Sequence, residues 1–341
     1  MSDSAIKNLK NKRILVTGGG GFLGKAIISH LLAFTPFICS LSRKHYPELE
    51  KLKVAQVQGD LADAEVVYQA CQGQDIVFHV AAKTGGMWGA EDQFRATNVG
   101  GTRNVIAACR QVGTAYLIHT SSPSVIYDGD TDLEGVDESV PYPDRYQTAY
   151  QKTKAEAEQL VIHACGRGLQ AIILRPHLIW GPGDTHFAPR IIERAKALKQ
   201  VGDGKNRIDT TYIDNAVQAH ILAAEKLMQR KALSGRIYFI SNGEPIYLWN
   251  MVNHILNAAG LPPVKKSIPK AVAYVIGAIM EGVYTGLRIR SEPKMTRFLA
   301  NELSRSHWFD IRAAREDLGY EPQVSTEEGL KRLKEWMEQC N

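Results

Sequence analysis

Cysteine is scarce in this sequence and never occurs in close pairs. The 341 residues include five cysteines, an odd number, and no CxxC motif. Disulfide frameworks and structural zinc sites are built from paired or clustered cysteines. None of the ten histidines stands at metal-ligand spacing either. We therefore predict free thiols and no metal site.

A long apolar run is also missing. The longest stretch, 271–280, has ten residues and is followed by Glu281, whereas a membrane-spanning helix needs about 18 or more. Residues 1–13 contain no apolar segment of the kind that forms a signal peptide. These absences predict a cytoplasmic protein that does not cross a membrane.

Strong charge of one sign is absent. Lysine and arginine number 41 and aspartate and glutamate 36, which gives a net charge of +5 without a basic tail or cluster. That balance argues against a nucleic-acid partner and suits small ligands that carry phosphate or carboxylate groups. Hydrophobic residues make up 44% of the chain, which is ample for a large core.

Short runs rich in valine and isoleucine alternate with longer segments of helical periodicity through about the first 240 residues. Strands that are apolar along their whole length are typical of a parallel sheet covered on both faces by helices. The pattern predicts a Rossmann-type, doubly wound α/β fold. The predicted strands are 13–17, 37–41, 54–58, 76–80, 116–120, 171–175 and 236–241, and the predicted helices are 23–33, 63–71, 97–112, 149–166 and 214–228.

The alternation ends after residue 242, where prolines punctuate mainly helical segments. This change predicts a smaller, mainly helical C-terminal lobe that binds the substrate in a cleft against the sheet. We assign residues 1–178 and 207–242 to a dinucleotide-binding domain. The substrate lobe is then built from two separated pieces, 179–206 and 243–341.

A glycine string follows the first predicted strand and opens the first helix. Gly18, Gly21 and Gly24 stand three residues apart, with Phe22 and Leu23 between the last two. Glycines at this spacing allow a tight turn, approach of the backbone to a pyrophosphate and close packing of helix on strand. The helix N-terminus then offers free N–H groups to the phosphates. We predict a dinucleotide site.

The end of the second predicted strand favours NADP over NAD. An acidic residue there binds the ribose 2′-hydroxyl of NAD, whereas arginine accommodates the 2′-phosphate of NADP. This chain reads Ser42-Arg43-Lys44, with no acid before Glu48. NADP is the predicted cofactor, with NAD as the alternative.

Tyr150 and Lys154 stand four residues apart at the start of a predicted helix, so they share one face. A nearby ammonium favours the ionised form of a phenol, whose unperturbed pKa is near 10. Ser122 follows the fifth predicted strand at the carboxyl edge of the sheet, where ligands bind in such folds. The three residues form a candidate catalytic group for proton exchange with a carbonyl or alcohol.

Together with the glycine loop, these residues resemble the extended short-chain dehydrogenase/reductase superfamily. The segments His79–Gly89, Arg175–Asp184 and Ser306–Asp310 narrow the resemblance to the 3β-hydroxysteroid dehydrogenase branch, and within it to bacterial enzymes that reduce long-chain β-keto acids. The resemblance covers nearly the whole chain. It implies an NAD(P)-dependent oxidoreductase that interconverts a ketone and a secondary alcohol on a large apolar substrate, a long-chain β-keto acid or a sterol-like ring.

The resemblance also implies residue roles. Tyr150 would be the general acid in reduction, Lys154 would lower its pKa and bind the nicotinamide ribose, and Ser122 would orient the carbonyl. The expected cofactor contacts are Asp60 and Leu61 beside the adenine, Ala81, Ala82 and Lys83 along the cofactor path, and Pro176 against the nicotinamide. The candidate substrate residues are Trp88, His177, Trp180 and His186.

Two other functions remain open from the sequence. A nucleotide-sugar epimerase would need basic residues for a diphosphate, and Arg190, Lys205 and Arg207 offer them. Dehydration is not one of the two, because a sugar-nucleotide dehydratase would carry an acidic pair after Ser122, where this chain has Pro123 and Ser124. A non-catalytic NADP-sensing regulator is the other alternative, and the intact Tyr150 and Lys154 argue against it.

Apolar residues recur at helical spacing over 268–287, flanked by lysines and arginines up to residue 290. A lobe helix packed on the core explains them, and so does an interfacial helix that contacts a membrane surface. The resemblance further implies a homodimer formed through two long helices of the sheet domain.

Overall fold

The structure, a computed structural model, describes residues 6–85, 89–165 and 168–340. The strands are β1 (Ile14–Thr17), β2 (Ile38–Ser42), β3 (Ala55–Gln58), β4 (Ile76–His79), β5 (Tyr116–Thr120), β6 (Leu133–Val136), β7 (Gln170–Pro176), β8 (Ile179–Trp180), β9 (Gln200–Val201), β10 (Arg207–Ile208), β11 (Thr211–Tyr212), β12 (Ile237–Ile240), β13 (Ile246–Tyr247), β14 (Ser267–Ile268) and β15 (His307–Phe309).

The α-helices are α1 (Phe22–Leu31), α2 (Pro47–Lys51), α3 (Ala64–Cys71), α4 (Glu91–Phe94), α5 (Gly101–Val112), α6 (Ala149–Cys165), α7 (Phe187–Glu193), α8 (Ile213–Gln229), α9 (Leu248–Ala258), α10 (Lys270–Gly286), α11 (Arg297–Glu302), α12 (Arg312–Leu318) and α13 (Thr326–Cys340). A π-helical turn covers Arg95–Gly100, and 3₁₀ turns cover Pro123–Ile126 and Lys231–Leu233.

The main sheet confirms the predicted fold class. Seven strands pair in parallel in the order β12-β7-β5-β4-β1-β2-β3. All seven predicted strands are present, and each end lies within one residue of its predicted position. The chain runs outward in one direction from β1 and in the other from β4, so the strand order reverses between these two neighbours. Ligands of open α/β sheets bind at such a reversal, beyond the carboxyl ends of the strands.

Neighbouring residues of β1 explain why these strands are apolar along their whole length. Ile14 and Val16 belong to one buried cluster and Leu15 to the cluster on the opposite face, and all three are fully buried. Side chains of successive strand residues point to opposite faces. Because helices cover both faces, every residue of such a strand has to be apolar.

A second sheet lies outside the main one, in the order β13-β10-β15-β6. β15 pairs in parallel with β10 and with β6, which lie far apart in the chain. Residues 133–136 and 207–208, both inside the predicted dinucleotide-binding domain, therefore hydrogen-bond to a strand of the predicted substrate lobe. The division of the chain into two domains stays a prediction.

The predicted helix over 97–112 differs from the structure at its start. The regular helix α5 begins at Gly101, and a π-helical turn precedes it. Such turns are uncommon and occur often at functional sites. Among the described residues, no helix is both long and apolar enough to span a membrane.

Candidate active site

The glycine loop between β1 and α1 has the close packing that a pyrophosphate cradle requires. Gly18 has a φ of +71°, and a Cβ there would lie 2.9 Å from the Cα of Ala81. A Cβ on Gly24 would collide with the carbonyl of Gly18. Gly21 precedes α1, which has no side-chain cap, so the first-turn N–H groups at Phe22 and Leu23 have no acceptor within the helix. The loop therefore fits a dinucleotide phosphate.

Ser42 lies at the end of β2, beside this loop. Its Oγ accepts a hydrogen bond from the backbone N–H of Gly20 at 3.1 Å and lies 3.3 Å from Oγ of Ser40. The hydroxyl thus supports the glycine loop, a role that the strand-end pattern had not indicated. Arg43 and Lys44, which follow it, are exposed.

Two further segments line the path expected for the cofactor. Asp60 accepts a hydrogen bond from the backbone N–H of Ala62 through Oδ1 at 2.9 Å, and its side chain is exposed. Leu61 is buried against Gly101, at the start of α5. Ala81 donates its backbone N–H to Oγ1 of Thr17 at 3.3 Å. The segment after β4 is therefore held against the end of β1.

Asn98, in the π-helical turn, fixes the backbone of Lys83. Its Oδ1 accepts from the Lys83 N–H at 2.8 Å, while its Nδ2 donates to the Lys83 carbonyl at 3.1 Å and to Oγ1 of Thr153 at 3.1 Å. Thr153 lies on α6, between Tyr150 and Lys154. One buried amide therefore joins the cofactor path to the helix of the candidate catalytic residues, a function that the sequence reasoning had not assigned to Asn98.

Tyr150 faces a pair of hydroxyl groups at the carboxyl edge of the sheet. Ser124 Oγ donates to Ser122 Oγ at 3.0 Å. Burial raises the pKa of Tyr150, hydrogen bonding to Ser122 and Ser124 lowers it in part, and the carboxyl group of Glu302 raises it further. The phenol is therefore protonated at neutral pH and lies beside a hydroxyl that can orient a carbonyl. Ser124 is an additional member of the group.

Lys154 is placed differently from the sequence expectation. Its Nζ donates to the backbone carbonyl of Thr120 at 2.6 Å, and burial lowers its pKa from 10.5 to about 8. The residues that set the pKa of Tyr150 are Ser122, Glu302 and Ser124. Because Lys154 and Tyr150 both lie on α6, Lys154 reaches the same edge of the sheet as Tyr150. There its ammonium binds the backbone carbonyl of Thr120.

His177 occupies the segment between β7 and β8, and protein groups contact both of its ring nitrogens. Nδ1 lies 2.7 Å from Oδ1 of Asp209, and Nε2 lies 3.2 Å from Nδ1 of His307. His307 Nε2 lies 3.1 Å from the carbonyl of Glu302, which can only accept. His307 therefore presents an acceptor at Nδ1, and His177 must donate to it.

Asp209 joins His177 to β15 through its two carboxylate oxygens. Asp209 is fully buried, and its Oδ2 accepts from the N–H of Phe309 at 3.0 Å. Burial lowers the pKa of His307 to about 3, so His307 is neutral. Both ring nitrogens of His177 therefore face protein groups. Since both of its nitrogens are engaged, the expectation that His177 is a polar handle for the substrate is not supported by the geometry.

The other candidate substrate residues have different positions. Trp180 is fully buried, its indole Nε1 donates to Oγ1 of Thr210 at 2.9 Å, and its ring meets Tyr212 edge to face. This corrects the sequence expectation, because a residue with no exposed surface packs the core and cannot line a cleft. His186 is exposed at the start of α7. Trp88 lies outside the described residues. Pro176 is buried at the end of β7.

Arg190 and Glu302 are charged residues of the predicted substrate lobe. Nη2 of Arg190, on α7, lies 3.4 Å from Oε2 of Glu292, and a Cβ on Gly85 would lie 3.0 Å from the same nitrogen. Glu302, at the end of α11, acts electrostatically on Tyr150. Sequence reasoning missed Glu302, because no motif links it to residues so distant in the chain. Among the described residues, no cluster of histidine, cysteine and carboxylate groups could hold a metal ion.

Comparisons with known proteins agree with this geometry. The profile of the 3-beta hydroxysteroid dehydrogenase/isomerase family matches residues 15–270. The chain is 50% identical over 325 residues to the 2-alkyl-3-oxoalkanoate reductase of Stenotrophomonas maltophilia, covering 94% of this chain and 98% of that protein. It is 34% identical over 333 residues to the decarboxylating sterol-4-alpha-carboxylate 3-dehydrogenase of Schizosaccharomyces pombe. This alignment covers 94% of this chain and 96% of that protein.

Among solved structures, the UDP-glucuronic acid 4-epimerase of Bacillus cereus in complex with NAD superposes with a TM-score of 0.72. The superposition covers 96% of this chain and 99% of that one, at 22% identity. At this identity the likeness shows the fold alone. The epimerase alternative is therefore less well supported than the oxidoreductase, whose relatives align at higher identity over nearly the full chain.

Proposed function

The chain belongs to the 3-beta hydroxysteroid dehydrogenase/isomerase family and is an NAD(P)-dependent oxidoreductase of ketones and secondary alcohols, and from this premise we propose that it reduces long-chain 2-alkyl-3-oxo acids. The observation that carries the proposal is the protonated phenol of Tyr150 beside the Ser122 hydroxyl, at the edge of the sheet that also bears the glycine loop. The relative with 50% identity is named for this reaction.

A second relative supports the same substrate class. The name of the Schizosaccharomyces pombe protein describes oxidation at carbon 3 of a sterol that carries a carboxylate on carbon 4. In both relatives the reacting carbon is therefore next to a carbon that bears a carboxylate. A 3-oxo acid, or the corresponding 3-hydroxy acid, is the chemistry that the two share.

The proposed roles follow from the positions of the side chains. Ser122 orients the substrate carbonyl, and Tyr150 donates its phenolic proton to the carbonyl oxygen as a general acid. A bound nicotinamide supplies the hydride. A raised pKa keeps the phenol protonated at neutral pH, which favours reduction. Lys154 holds a positive charge at the same edge, where the ribose of the cofactor would lie.

We propose NADP as the preferred cofactor. Arg43 and Lys44 are exposed cations directly after β2, and Ser42 adds a hydroxyl donor at that strand end. These groups suit a 2′-phosphate, and no acid occupies the place where a 2′-hydroxyl would be bound. Dissociation constants of NADPH and NADH, measured by fluorescence titration, test this preference. Tighter binding of NADPH is expected, and tighter binding of NADH would contradict it.

We also propose that the protein is cytoplasmic and that its 268–290 segment brings it to a membrane surface. Helix α10 exposes an apolar row in which Val275 and Ile279 are 56% and 61% accessible, and Leu287, directly after the helix, is 71% accessible. Basic residues flank the row at Lys266 and Arg288, among others. An amphipathic helix of this kind suits an anionic lipid interface. Sedimentation with anionic liposomes at low salt tests the proposal, and an absence of binding would contradict it.

A homodimer through the long helices α5 and α6 completes the proposed assembly. A groove lined by Arg95, Val99 and Arg103 runs between these helices on the outside of the sheet, and a second copy of the chain would cover it. Sedimentation velocity is expected to give a dimer that Leu160→Glu, on the α6 side of the groove, dissociates. A monomeric unmodified protein would contradict the dimer.

The experiment that tests the proposed function is a side-by-side substrate screen. NADPH oxidation is measured with 2-alkyl-3-oxo acids, 3-ketosteroids and UDP-sugars. Turnover with the 3-oxo acids is expected, with little or none for the UDP-sugars. Preferential conversion of UDP-sugars would contradict the proposal.

A further inference from the structure

Thr17 and His79 are the last residues of the neighbouring strands β1 and β4. They are register partners, so their side chains lie next to each other on one face of the sheet. Oγ1 of Thr17 lies 2.8 Å from Nδ1 of His79. The other ring nitrogen, Nε2, lies 2.9 Å from Oγ1 of Thr102, in the first turn of α5. All three side chains are buried, so His79 connects the end of β1 to the helix on this face.

The direction of each hydrogen bond around His79 follows from its partners. Thr102 donates its only hydroxyl hydrogen to the backbone carbonyl of Asn98 at 2.6 Å, because a carbonyl can only accept. Oγ1 of Thr102 therefore accepts from the Nε2–H of His79. Burial lowers the pKa of His79 to about 3, so the ring is neutral and its Nδ1 is an acceptor. Thr17 donates to this nitrogen and accepts from the backbone N–H of Ala81. We call this series of hydrogen bonds the His79 network.

Both ends of the His79 network act on the short segment from Ala81 to Lys83, which follows β4. At one end, Thr17 accepts from the N–H of Ala81 at 3.3 Å. At the other end, the side-chain amide of Asn98 binds the N–H and the carbonyl of Lys83 at 2.8 and 3.1 Å. The segment lies beyond the carboxyl ends of the strands, where dinucleotides bind in this fold. His79 therefore links the two groups that fix this segment.

We propose that His79, with its ring hydrogen on Nε2, is a positioning residue that holds the segment from Ala81 to Lys83 in the conformation that binds the dinucleotide. The inference rests on the proposed function, which assigns this segment to the cofactor path. His79 is 1% exposed, so it acts through the two threonine hydroxyls and not by contact with the cofactor. A break on either side of the ring should weaken cofactor binding, even at Thr102, whose hydroxyl bonds to His79 and Asn98.

The test removes one threonine hydroxyl at a time and keeps the β-branched shape of the side chain. Thr17→Val and Thr102→Val should each raise the Kd of NADPH by about 5- to 10-fold, the effect of one lost hydrogen bond. The Kd of NADH should rise by a similar factor, because the two cofactors differ only in the 2′-phosphate. Thr17→Ser and Thr102→Ser keep the hydroxyl and should bind NADPH as the unmodified protein does.

Thr35→Val is the matched control. Thr35 is buried before β2, at the amino end of the sheet. Its hydroxyl donates to the carbonyl of Lys12 at 2.8 Å and accepts from the N–H of Phe37 at 3.2 Å. Thr35→Val should lower the free energy of unfolding as the other two valine variants do, but leave the Kd of NADPH unchanged. If His79 served stability alone, none of the three valine variants would change the Kd.

The double variant Thr17→Val, Thr102→Val distinguishes one network from two separate contacts. If His79 links the two hydroxyls, the first break already uncouples the segment. The Kd of the double variant should then exceed that of the unmodified protein by about the same 5- to 10-fold as each single variant. Separate contacts would multiply to about 25- to 100-fold, and that result would overturn the proposal.

A second measurement needs neither a substitution nor the cofactor. Long-range ¹H–¹⁵N NMR of the unmodified protein reports which nitrogen of the His79 ring carries the hydrogen, with the ring assigned through the backbone of β4. The proposal requires the hydrogen on Nε2 and none on Nδ1 at neutral pH. A hydrogen on Nδ1 would reverse the network and overturn the proposal, even if the valine variants did not fold.

Failure of this proposal can be told apart from failure of the proposed function, because the titrations use no substrate. If the valine variants bind NADPH as tightly as the unmodified protein, the role of His79 is refuted and the proposed function stands. If the substrate screen shows preferential conversion of UDP-sugars, the proposed function fails, and the titrations still decide the role of His79. If the unmodified protein binds neither NADPH nor NADH, both proposals fail.

Discussion

Lys154 donates a hydrogen bond from its ammonium to the backbone carbonyl of Thr120, with Nζ and the oxygen 2.6 Å apart. The ammonium is buried, and its pKa falls from 10.5 to about 8. The carbonyl belongs to the last residue of β5, directly before the segment that carries Ser122. A buried positive charge is thus fixed at the carboxyl edge of the sheet, where it costs stability and serves the site.

Replacing that charge should stabilise the fold. Lys154→Met is expected to raise the free energy of unfolding at pH 7 by about 1–2 kcal/mol, since the cost of a lowered pKa exceeds the lost hydrogen bond. Because the folded-state pKa lies below the unfolded one, the unmodified protein should gain stability between pH 8 and 10.5. The Lys154→Met variant should not gain stability over this pH range. Urea unfolding across this pH range measures both, and a less stable variant would contradict the assignment.

Substitution in the glycine loop should weaken cofactor binding. Gly18→Ala places a Cβ at a φ of +71° and 2.9 Å from Ala81, so the loop must move and the Kd of NADPH should rise about tenfold or more. Gly282→Ala is the control, because nothing lies within 4 Å of its Cβ position on α10. It should leave the Kd unchanged and stabilise the helix by about 0.5–1 kcal/mol. Equal Kd values of NADPH for both variants would contradict the proposal that the glycine loop binds the cofactor phosphates.

Removing the cations after β2 should reduce discrimination between cofactors. The double variant Arg43→Ala, Lys44→Ala is expected to raise the Kd of NADPH by about 10- to 100-fold. The Kd of NADH should change little, because only NADPH carries the 2′-phosphate. Lys331→Ala, Lys334→Ala removes the same charge from exposed positions on α13 and should leave both affinities as they are. A parallel loss for NADH would show that these cations do not read the 2′-phosphate.

Asn98 should matter for both stability and binding. Asn98→Ala deletes three hydrogen bonds to Lys83 and Thr153, so the free energy of unfolding should fall by about 2 kcal/mol and the Kd of the cofactor should rise. Asn257→Ala, on an exposed part of α9, is expected to be neutral. Chemical unfolding measures the free energy of unfolding, and cofactor titration measures the Kd. An unaltered Kd would limit Asn98 to a structural role.

Local sequence patterns were sufficient for the main sheet and the glycine loop. The apolar strands, the loop with Gly18 and Gly24, and the spacing of Tyr150 and Lys154 all depend on residues close together in the chain. The second sheet was not predictable, because strands of two to four residues such as β10 and β15 have no periodic pattern. Their pairing depends on how the lobe packs.

The site features that the sequence did not predict depend on residues that are distant in the chain and meet only in the folded structure. Glu302 acts on Tyr150 although the two are far apart in sequence, and His177 bridges Asp209 and His307 from three different segments. Trp180 was assigned to the cleft because its segment follows β7, but the ring points into the core. Side-chain direction after a strand depends on tertiary packing, which spacing alone does not specify.

The most direct test of the account is the turnover of Tyr150→Phe with NADPH and a 2-alkyl-3-oxo acid. The substitution removes the phenolic proton and keeps the ring, so kcat should fall by about 10²- to 10⁴-fold while the Kd of NADPH is unchanged. Tyr68→Phe, on α3 away from the site, should keep full activity. Turnover by Tyr150→Phe at the rate of the unmodified protein would contradict the assignment of Tyr150 as the proton donor and, with it, the proposed mechanism.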